Sequence, residues 1–229
     1  MTRLGIMLET APGGARDEAQ AVRWYRRAAE KGSPKAMFDL GRMLASGRGV
    51  ARDEVLAAEW YRRSAEAGNA SAMAALGVVL ETSLGDAKDE AQAAEWYRRG
   101  AERGNSIAMF NLGGMLASGR GVAQDEARAA EWYRRAAEQG NSNAMSVLGV
   151  KLEMGLGVAE DLAQAAVWYR RGAEKGNPNA MFNLGRMLAS GRGVVRDEAL
   201  AVEWYRRAAR GNDPAARRAA EASLKQLGR

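Results

Sequence analysis

A tryptophan–tyrosine pair recurs every 36 residues along this 229-residue chain, at Trp24-Tyr25, Trp60-Tyr61, Trp96-Tyr97, Trp132-Tyr133, Trp168-Tyr169 and Trp204-Tyr205. The six pairs use every tryptophan and every tyrosine present. Leu4-Gly5 keeps the same step through Leu40-Gly41, Leu76-Gly77, Leu112-Gly113, Leu148-Gly149 and Leu184-Gly185, and an aspartate keeps it from Asp17 to Asp197. A period between about 20 and 50 residues marks an array in which each unit buries its apolar face against its neighbours. The chain therefore reads as one repeat array of six copies, about 1–32, 33–68, 69–104, 105–140, 141–176 and 177–212.

Each copy parses into two helices. In the second copy Ala36, Met37, Leu40, Met43 and Leu44 fall at helical spacing and make one apolar stripe. Gly47 and Gly49 stop this first helix, since glycine accepts the left-handed backbone that helix ends favour. Asp53 then caps the second helix, and Glu54 adds favourable charge at its positive end. That helix runs roughly from Glu54 to Ala67 and stops at Gly68, with Ala57, Tyr61, Ser64 and Ala65 facing inward and Trp60 at the flank. Buried aromatic rings each remove about 150–250 Å² from water, so the ring pair is expected to glue the units together. Gly41 and its equivalents sit inside a helix, where glycine costs about 1 kcal/mol against alanine; repeated at one phase, they predict a close backbone crossing. After the sixth copy, Pro214 opens a closing helix over 214–227 with Ala216, Ala220, Leu224 and Leu227 on its apolar edge.

Composition narrows the chemistry. There is no cysteine and no histidine, which removes thiolate chemistry, zinc–thiolate sites and the commonest general base. The serines lack their usual activating partner. Neighbouring carboxylates such as Asp53-Glu54 recur at helix starts, where capping accounts for them. The Gly47-Arg48-Gly49 loop, seen again at Gly119-Arg120-Gly121 and Gly191-Arg192-Gly193, lacks the preceding strand and following lysine of a phosphate-binding loop and reads as a turn. No catalytic residue, metal ligand or cofactor is expected. No run of about 18 apolar residues is present, and a carboxylate at Glu9 interrupts any leader-like apolar core; as written, the chain is expected to be cytoplasmic. Its opening inside a first helix reads as a piece of a longer array or a deliberately trimmed chain, with an edge open to stacking on another copy.

The net charge is +6, and an arginine pair follows every Trp-Tyr. Spacings such as Glu59 to Arg63, Glu95 to Arg99, Glu131 to Arg135 and Glu203 to Arg207, with Arg98 to Glu102, are ion-pair spacings on a helix. They neutralise the ladder locally, so a basic nucleic-acid-binding surface is the weaker reading.

The run Ala-Met-x-x-Leu-Gly-x-x-Leu-x-x-Gly-x-Gly-Val-x-x-Asp, followed by Ala-x-x-Trp-Tyr-Arg-Arg-Ala-Ala-Glu-x-Gly, resembles the Sel1-like repeat, a relative of the tetratricopeptide repeat. The resemblance covers essentially the whole chain. It implies an all-α, right-handed solenoid superhelix of antiparallel helix pairs, with first helices lining the concave side and an adaptor role towards protein partners. The branch of that family with a cysteine pair per repeat is not matched, because cysteine is absent.

A second period of 72 residues overlies the first. Met43 to Val50 is repeated identically at 115–122 and 187–194, and the three phenylalanines Phe38, Phe110 and Phe182 keep this double step. Leu8-Glu9, Leu80-Glu81 and Leu152-Glu153 occupy the alternating copies. Carried over from tetratricopeptide arrays, the partner-facing positions are Phe38, Arg42, Ala74, Val78, Phe110, Gly114, Ser146, Val150, Phe182 and Arg186, with Glu81 and Glu153 one turn later. The expected surface alternates aromatic or basic groups with small or acidic ones, and suits an extended peptide or a partner helix. The phenylalanines could equally be filling space between first helices. The reading is a non-catalytic protein- or peptide-binding scaffold; the alternative is an engineered or consensus repeat protein with no natural ligand.

Overall fold

The computed structural model describes residues 1–12, 16–83 and 87–228, without the side chains of residues 83, 87 and 88. Among the described residues there are thirteen helices and no strand. In chain order they are α1 (Thr2–Thr10), α2 (Glu18–Glu30), α3 (Pro34–Ser46), α4 (Glu54–Glu66), α5 (Ala70–Ser83), α6 (Ala87–Glu102) and α7 (Ser106–Ser118). There follow α8 (Glu126–Glu138), α9 (Ser142–Met154), α10 (Leu162–Glu174), α11 (Pro178–Ser190), α12 (Glu198–Ala209) and α13 (Pro214–Gln226). Odd-numbered helices up to α11 are the first helices of the copies, even-numbered ones the second, and α13 closes the series.

Caps punctuate the elements as polar residues at helix starts should. The carboxylates of Asp17, Asp53, Asp125, Asp161 and Asp197 accept the amide N–H three residues on, at 2.8–2.9 Å. First helices carry caps that the sequence reading passed over: Asn69, Asn105, Asn141 and Asn177 accept from the alanine three residues on, at 2.9–3.0 Å. The sixth aspartate departs from the pattern. Because α6 begins at Ala87, Asp89 lies in its first turn. Gly49 has φ +66°, and a Cβ there would overlap the carbonyl carbon and oxygen of Glu18, so the turn admits only glycine at its closest approach.

Internal contacts divide the chain into two compact units, residues 1–108 with 120–122 and residues 109–119 with 123–229. In the first, each helix from α1 to α6 packs on the next. In the second, α8 to α13 do the same, and α11 also touches α9 and α13. The core of each is laid down by the predicted stripes: Ala57, Tyr61, Ser64 and Ala65 are the buried residues of α4, and Ala36, Leu40, Met43 and Leu44 are buried on α3. Buried Ser64 is satisfied by donating to the Pro34 carbonyl at 2.6 Å.

The two aromatic residues of each pair do different jobs. All six tyrosines are between 0 and 7% exposed, whereas Trp168 and Trp204 are buried and the other four indoles only half-buried. The interior glycines explain why. A Cβ on Gly5, Gly41, Gly113, Gly149 or Gly185 would lie 2.5–3.0 Å from the ring of Tyr25, Tyr61, Tyr133, Tyr169 or Tyr205, and one on Gly77 would lie closer still to Tyr97. The crossing expected at these glycines is thus chiefly ring on backbone: the second helix seats its phenol in the notch that the missing side chain leaves.

Gly149→Ala is therefore expected to destabilise by about 1–3 kcal/mol through overpacking, against the ~1 kcal/mol gain that helix propensity alone would bring. Tyr97→Ala is expected to cost about 3–5 kcal/mol and half-buried Trp132→Ala about 1–3. Urea denaturation followed by circular dichroism checks the order, and a stabilised Gly149→Ala would contradict the seating.

Candidate functional site

The 72-residue period is written in two kinds of tyrosine neighbour. At the ends of α1, α5 and α9 stand Glu9, Glu81 and Glu153, and the tyrosine hydroxyl 16 residues on donates to each: Tyr25 at 2.7 Å, Tyr97 at 2.9 Å and Tyr169 at 3.0 Å. In the first unit Glu9 also receives Arg42 at 2.6 Å and Arg48 at 3.2 Å. In the second, Glu153 receives Arg186 at 2.5 Å and Arg192 at 3.2 Å. Glu81 receives Arg120 at 2.7 Å. In the alternating copies Ala45, Ala117 and Ala189 replace the glutamate. There the phenol packs against a phenylalanine: Phe38–Tyr61, Phe110–Tyr133 and Phe182–Tyr205 have ring centroids 5.8, 5.6 and 5.8 Å apart. Tilted rings at this separation are mutually attractive.

This geometry revises the surface expected from the sequence. Glu153 is 8% exposed, and Arg42, Arg186 and Glu153 are joined in internal ion pairs instead of presenting alternating charge. The reason is reach: a carboxylate at the end of one first helix meets a guanidinium on the next, 33 residues later. Arg48, Arg120 and Arg192, read only as turn residues, belong to the same networks. The signal was present in the sequence, as an arginine 39 residues after Glu9, Glu81 and Glu153 alike.

Burial raises the Glu9 and Glu153 carboxyls, yet hydrogen bonds from Arg42 with Tyr25, and from Arg186 with Tyr169, prevail and hold both below the ordinary glutamate value. The same burial, reinforced by the adjacent carboxylate, pushes the Tyr25 and Tyr169 phenols well up. Tyr133 is pushed up to about 12 by burial and by Glu126. Asp39 is raised by burial, against the pull of Lys35 at 3.3 Å.

Other predicted residues do come together. In the first unit Phe38, Ala74 and Val78 line a depression of about 450 Å³, rimmed by Ser71, Asn105 and Ile107. In the second unit Phe110, Ser146 and Val150 line one of about 410 Å³, rimmed by Asn143, Asn179 and Asn183. The two are related by the 72-residue step, and they differ in character: Ile107 is replaced by Asn179 and Ala75 by Val147. The phenylalanines are half-buried, one part of each ring against tyrosine. Phe182 and Arg186 line neither depression, and a Cβ on Gly114 would find only Tyr133 Oη, at 3.6 Å.

The second helices present another ladder. The second arginine of each pair lies over its own tryptophan, 4.7–5.0 Å from the ring centroid, at Arg27, Arg63, Arg99, Arg135, Arg171 and Arg207. Glu95 pairs with both Arg98 and Arg99, and Glu131 with Arg135. Among the described residues no group of three carboxylates is arranged to hold a metal, and no helix is long and apolar enough to cross a membrane.

The Sel1 repeat family matches six times in succession, at residues 1–33, 34–69, 70–105, 106–141, 142–177 and 178–213. The chain belongs to the Sel1 repeat family. Among solved structures, a Sel1 repeat protein from Oxalobacter formigenes is 36% identical, with 90% of this chain and 85% of that one aligned at a TM-score of 0.84. The protective antigen c5321 of uropathogenic Escherichia coli, which displays the same repeat fold, is 31% identical over all of this chain at a TM-score of 0.80. This chain spans about half of that antigen, 53% of its length. The immunity protein Pa5087 of Pseudomonas aeruginosa, 21% identical over 99% of this chain and 80% of its own with a TM-score of 0.57, shares the fold. No curated protein matches the sequence. The paired helices of this Sel1 repeat chain form the α-solenoid of those neighbours, and Sel1 repeats in general mediate protein–protein interaction without catalysis.

Because Glu9 and Glu153 titrate lower in the folded chain than the ordinary 4.5, their networks stabilise fully above that value and lose their contribution as pH falls through the folded-state values. Asp39 opposes this, since its raised carboxyl favours folding at the acid end. Urea midpoints from pH 6 to pH 3 are expected to fall less steeply in Glu9→Gln/Glu153→Gln than in the parent. Equal slopes would contradict the networks.

Proposed function

We propose that this chain is a non-catalytic scaffold that holds an extended peptide, or one helix, of a partner protein against its first helices. The observation that carries the reading is the paired depression. The same three positions, a half-buried phenylalanine and two residues from the next first helix, make a concave floor in each unit, apolar throughout in the first and broken by Ser146 in the second. Small residues at Ala74 and Ser146 leave the room, and the ring supplies an anchor whose burial by a ligand is favourable without immobilising a long side chain. Asn105 on one rim is held as a helix cap and by Ser71, and Asn143 accepts from Asn177 on the other; there Asn183 and the amide oxygen of Asn179 can pair with a backbone that would otherwise lose its hydrogen bonds to water.

Catalysis finds no support in the residues. Asp17, Asp53, Asp125, Asp161 and Asp197 are caps and Glu9, Glu81 and Glu153 belong to ion networks, while the nucleophiles lack a histidine to activate them. The second arginine of each pair lies over a tryptophan face, and Arg98, Arg99 and Arg135 are paired with glutamates, which weighs against a nucleic-acid surface. Natural bacterial relatives aligned over 90–100% of the chain weigh against a sequence made without a ligand.

Selection of a displayed library of random twelve-residue peptides on the immobilised protein tests the reading. Enriched peptides are expected to lose at least ten-fold in affinity in Phe38→Ala or Phe110→Ala while the helical signal persists. Should those variants lose helicity, the exposed rim change Ile107→Asp takes their place. Unchanged binding to a folded Ile107→Asp chain by peptides sensitive to no groove substitution would overturn the scaffold.

A further inference from the structure

Glu81 stands apart from its two counterparts. Glu9 and Glu153 are each 7% exposed at the side chain and each meet two guanidinium groups; Glu81 is 23% exposed, and among the described residues it meets Arg120, itself 46% exposed. The sequence shows why the middle block differs. Thirty-three residues after Glu9 and Glu153 come Arg42 and Arg186, whereas thirty-three residues after Glu81 comes Gly114. The turn arginine is kept in all three blocks, so among the described residues the middle carboxylate meets one cation fewer. A carboxylate has about four lone-pair positions to offer; the Tyr97 hydroxyl and Arg120 leave part of that capacity facing water.

The setting is more than a lone acid. Glu81 follows Val78 by three residues on α5, which puts both on one face of the helix, about one turn or 5 Å apart. Val78 lines the apolar depression with Phe38 and Ala74. A negative anchor therefore lies at the edge of an apolar site that is itself large enough for one aliphatic or aromatic side chain.

We propose that Glu81 receives the guanidinium of an arginine from a bound peptide, whose neighbouring apolar residue occupies the depression at Phe38, Ala74 and Val78. This deepens the scaffold reading and rests on it. Arginine fits better than lysine because its planar fork can meet both carboxylate oxygens with two nitrogens while Tyr97 and Arg120 stay in place; Glu9 shows that a carboxylate at this position takes a guanidinium beside its tyrosine, Arg42 lying 2.6 Å from either oxygen. The chain carries a net charge of +6, so further basic residues in the peptide would be repelled at longer range. The ligand is an apolar residue and a single arginine among neutral or acidic neighbours. In an extended peptide, side chains two residues apart share a face about 7 Å apart, which spans the step from the depression to Glu81.

Two displayed libraries decide it, one with arginine fixed at the central position of a twelve-residue peptide and one with glutamine there. The arginine library is expected to yield the binders, measured afterwards by fluorescence anisotropy as synthetic peptides. Glu81→Gln, which keeps an oxygen for the Tyr97 hydroxyl, should weaken them ten-fold or more, and exchanging the peptide's arginine for citrulline should do the same to the parent. Arg120→Gln should act oppositely and tighten binding several-fold, since it frees the carboxylate from the chain's own cation; a merely structural role for Glu81 would not give opposite signs. Glu131→Gln, an exposed carboxylate elsewhere, should change nothing. Binders that are lost in Ile107→Asp yet indifferent to Glu81→Gln, or equally tight with lysine in place of arginine, would overturn the guanidinium anchor and leave the scaffold standing. Failure of both libraries to give a binder sensitive to Ile107→Asp would overturn both.

Discussion

A phenol ring seated on a glycine is the contact on which this structure depends. Each second helix drives its tyrosine against the backbone of the first helix of its own copy, and the seat exists because the residue below has no side chain. Leucine and alanine fill in around it, but they could be exchanged for others of like volume. The ring and the notch cannot be exchanged singly, since a Cβ at Gly149 would fall 2.5 Å from Tyr169. The requirement is met once per copy, and it sets both the 36-residue step and the closeness of each helix pair.

What lies over the phenol oxygen then varies by alternate copies. Where the first helix ends in glutamate, the hydroxyl is drawn into an ion network that reaches the following first helix from Glu9 and Glu153, and the turn after it from Glu81. Where it ends in alanine, a phenylalanine lies against the ring and a depression opens beside it. These are two solutions to one problem, a buried phenol that needs either a polar partner for its oxygen or an apolar lid for its face. Charge is spent on joining neighbouring copies, and apolar surface is left beside the phenylalanines. The division explains why a chain of ordinary composition has so little of its charge available along the first helices. It also explains why Glu81, whose counterparts are nearly closed off from water, draws attention as the least satisfied of the three.

The helix pairs and the repeat length were legible without coordinates because both follow from local rules: periodic apolar positions, aspartate at helix starts and glycine at helix ends. Asp89 shows the limit of such rules, since α6 begins two residues ahead of it. Among candidate site residues, Phe38, Ala74 and Val78 line one depression and Phe110, Ser146 and Val150 another, because a helix brings positions four apart onto one face. Arg42 and Arg186, still 36% and 37% exposed at the side chain, are tied to buried carboxylates, Glu153 among them. Their partners lie one copy away, and ion pairing across that distance depends on side-chain reach that spacing alone does not reveal. The arginines over tryptophan were similarly overlooked in favour of glutamate pairs, although a neighbour three residues away on a helix is as near as one four away.

Sequence alone therefore determined the class of fold, the number of copies, the residues that end most of the helices and the lack of any cysteine or histidine. All of these are set by the identity of a residue and of those within a turn or two of it. Tertiary structure decided which of two adjacent aromatic residues is the core, which charges are joined and which remain open, and where the apolar surface is left uncovered. Those outcomes depend on the packing of one helix against another, where a missing methyl group or a guanidinium reaching over from the next copy determines what water can touch.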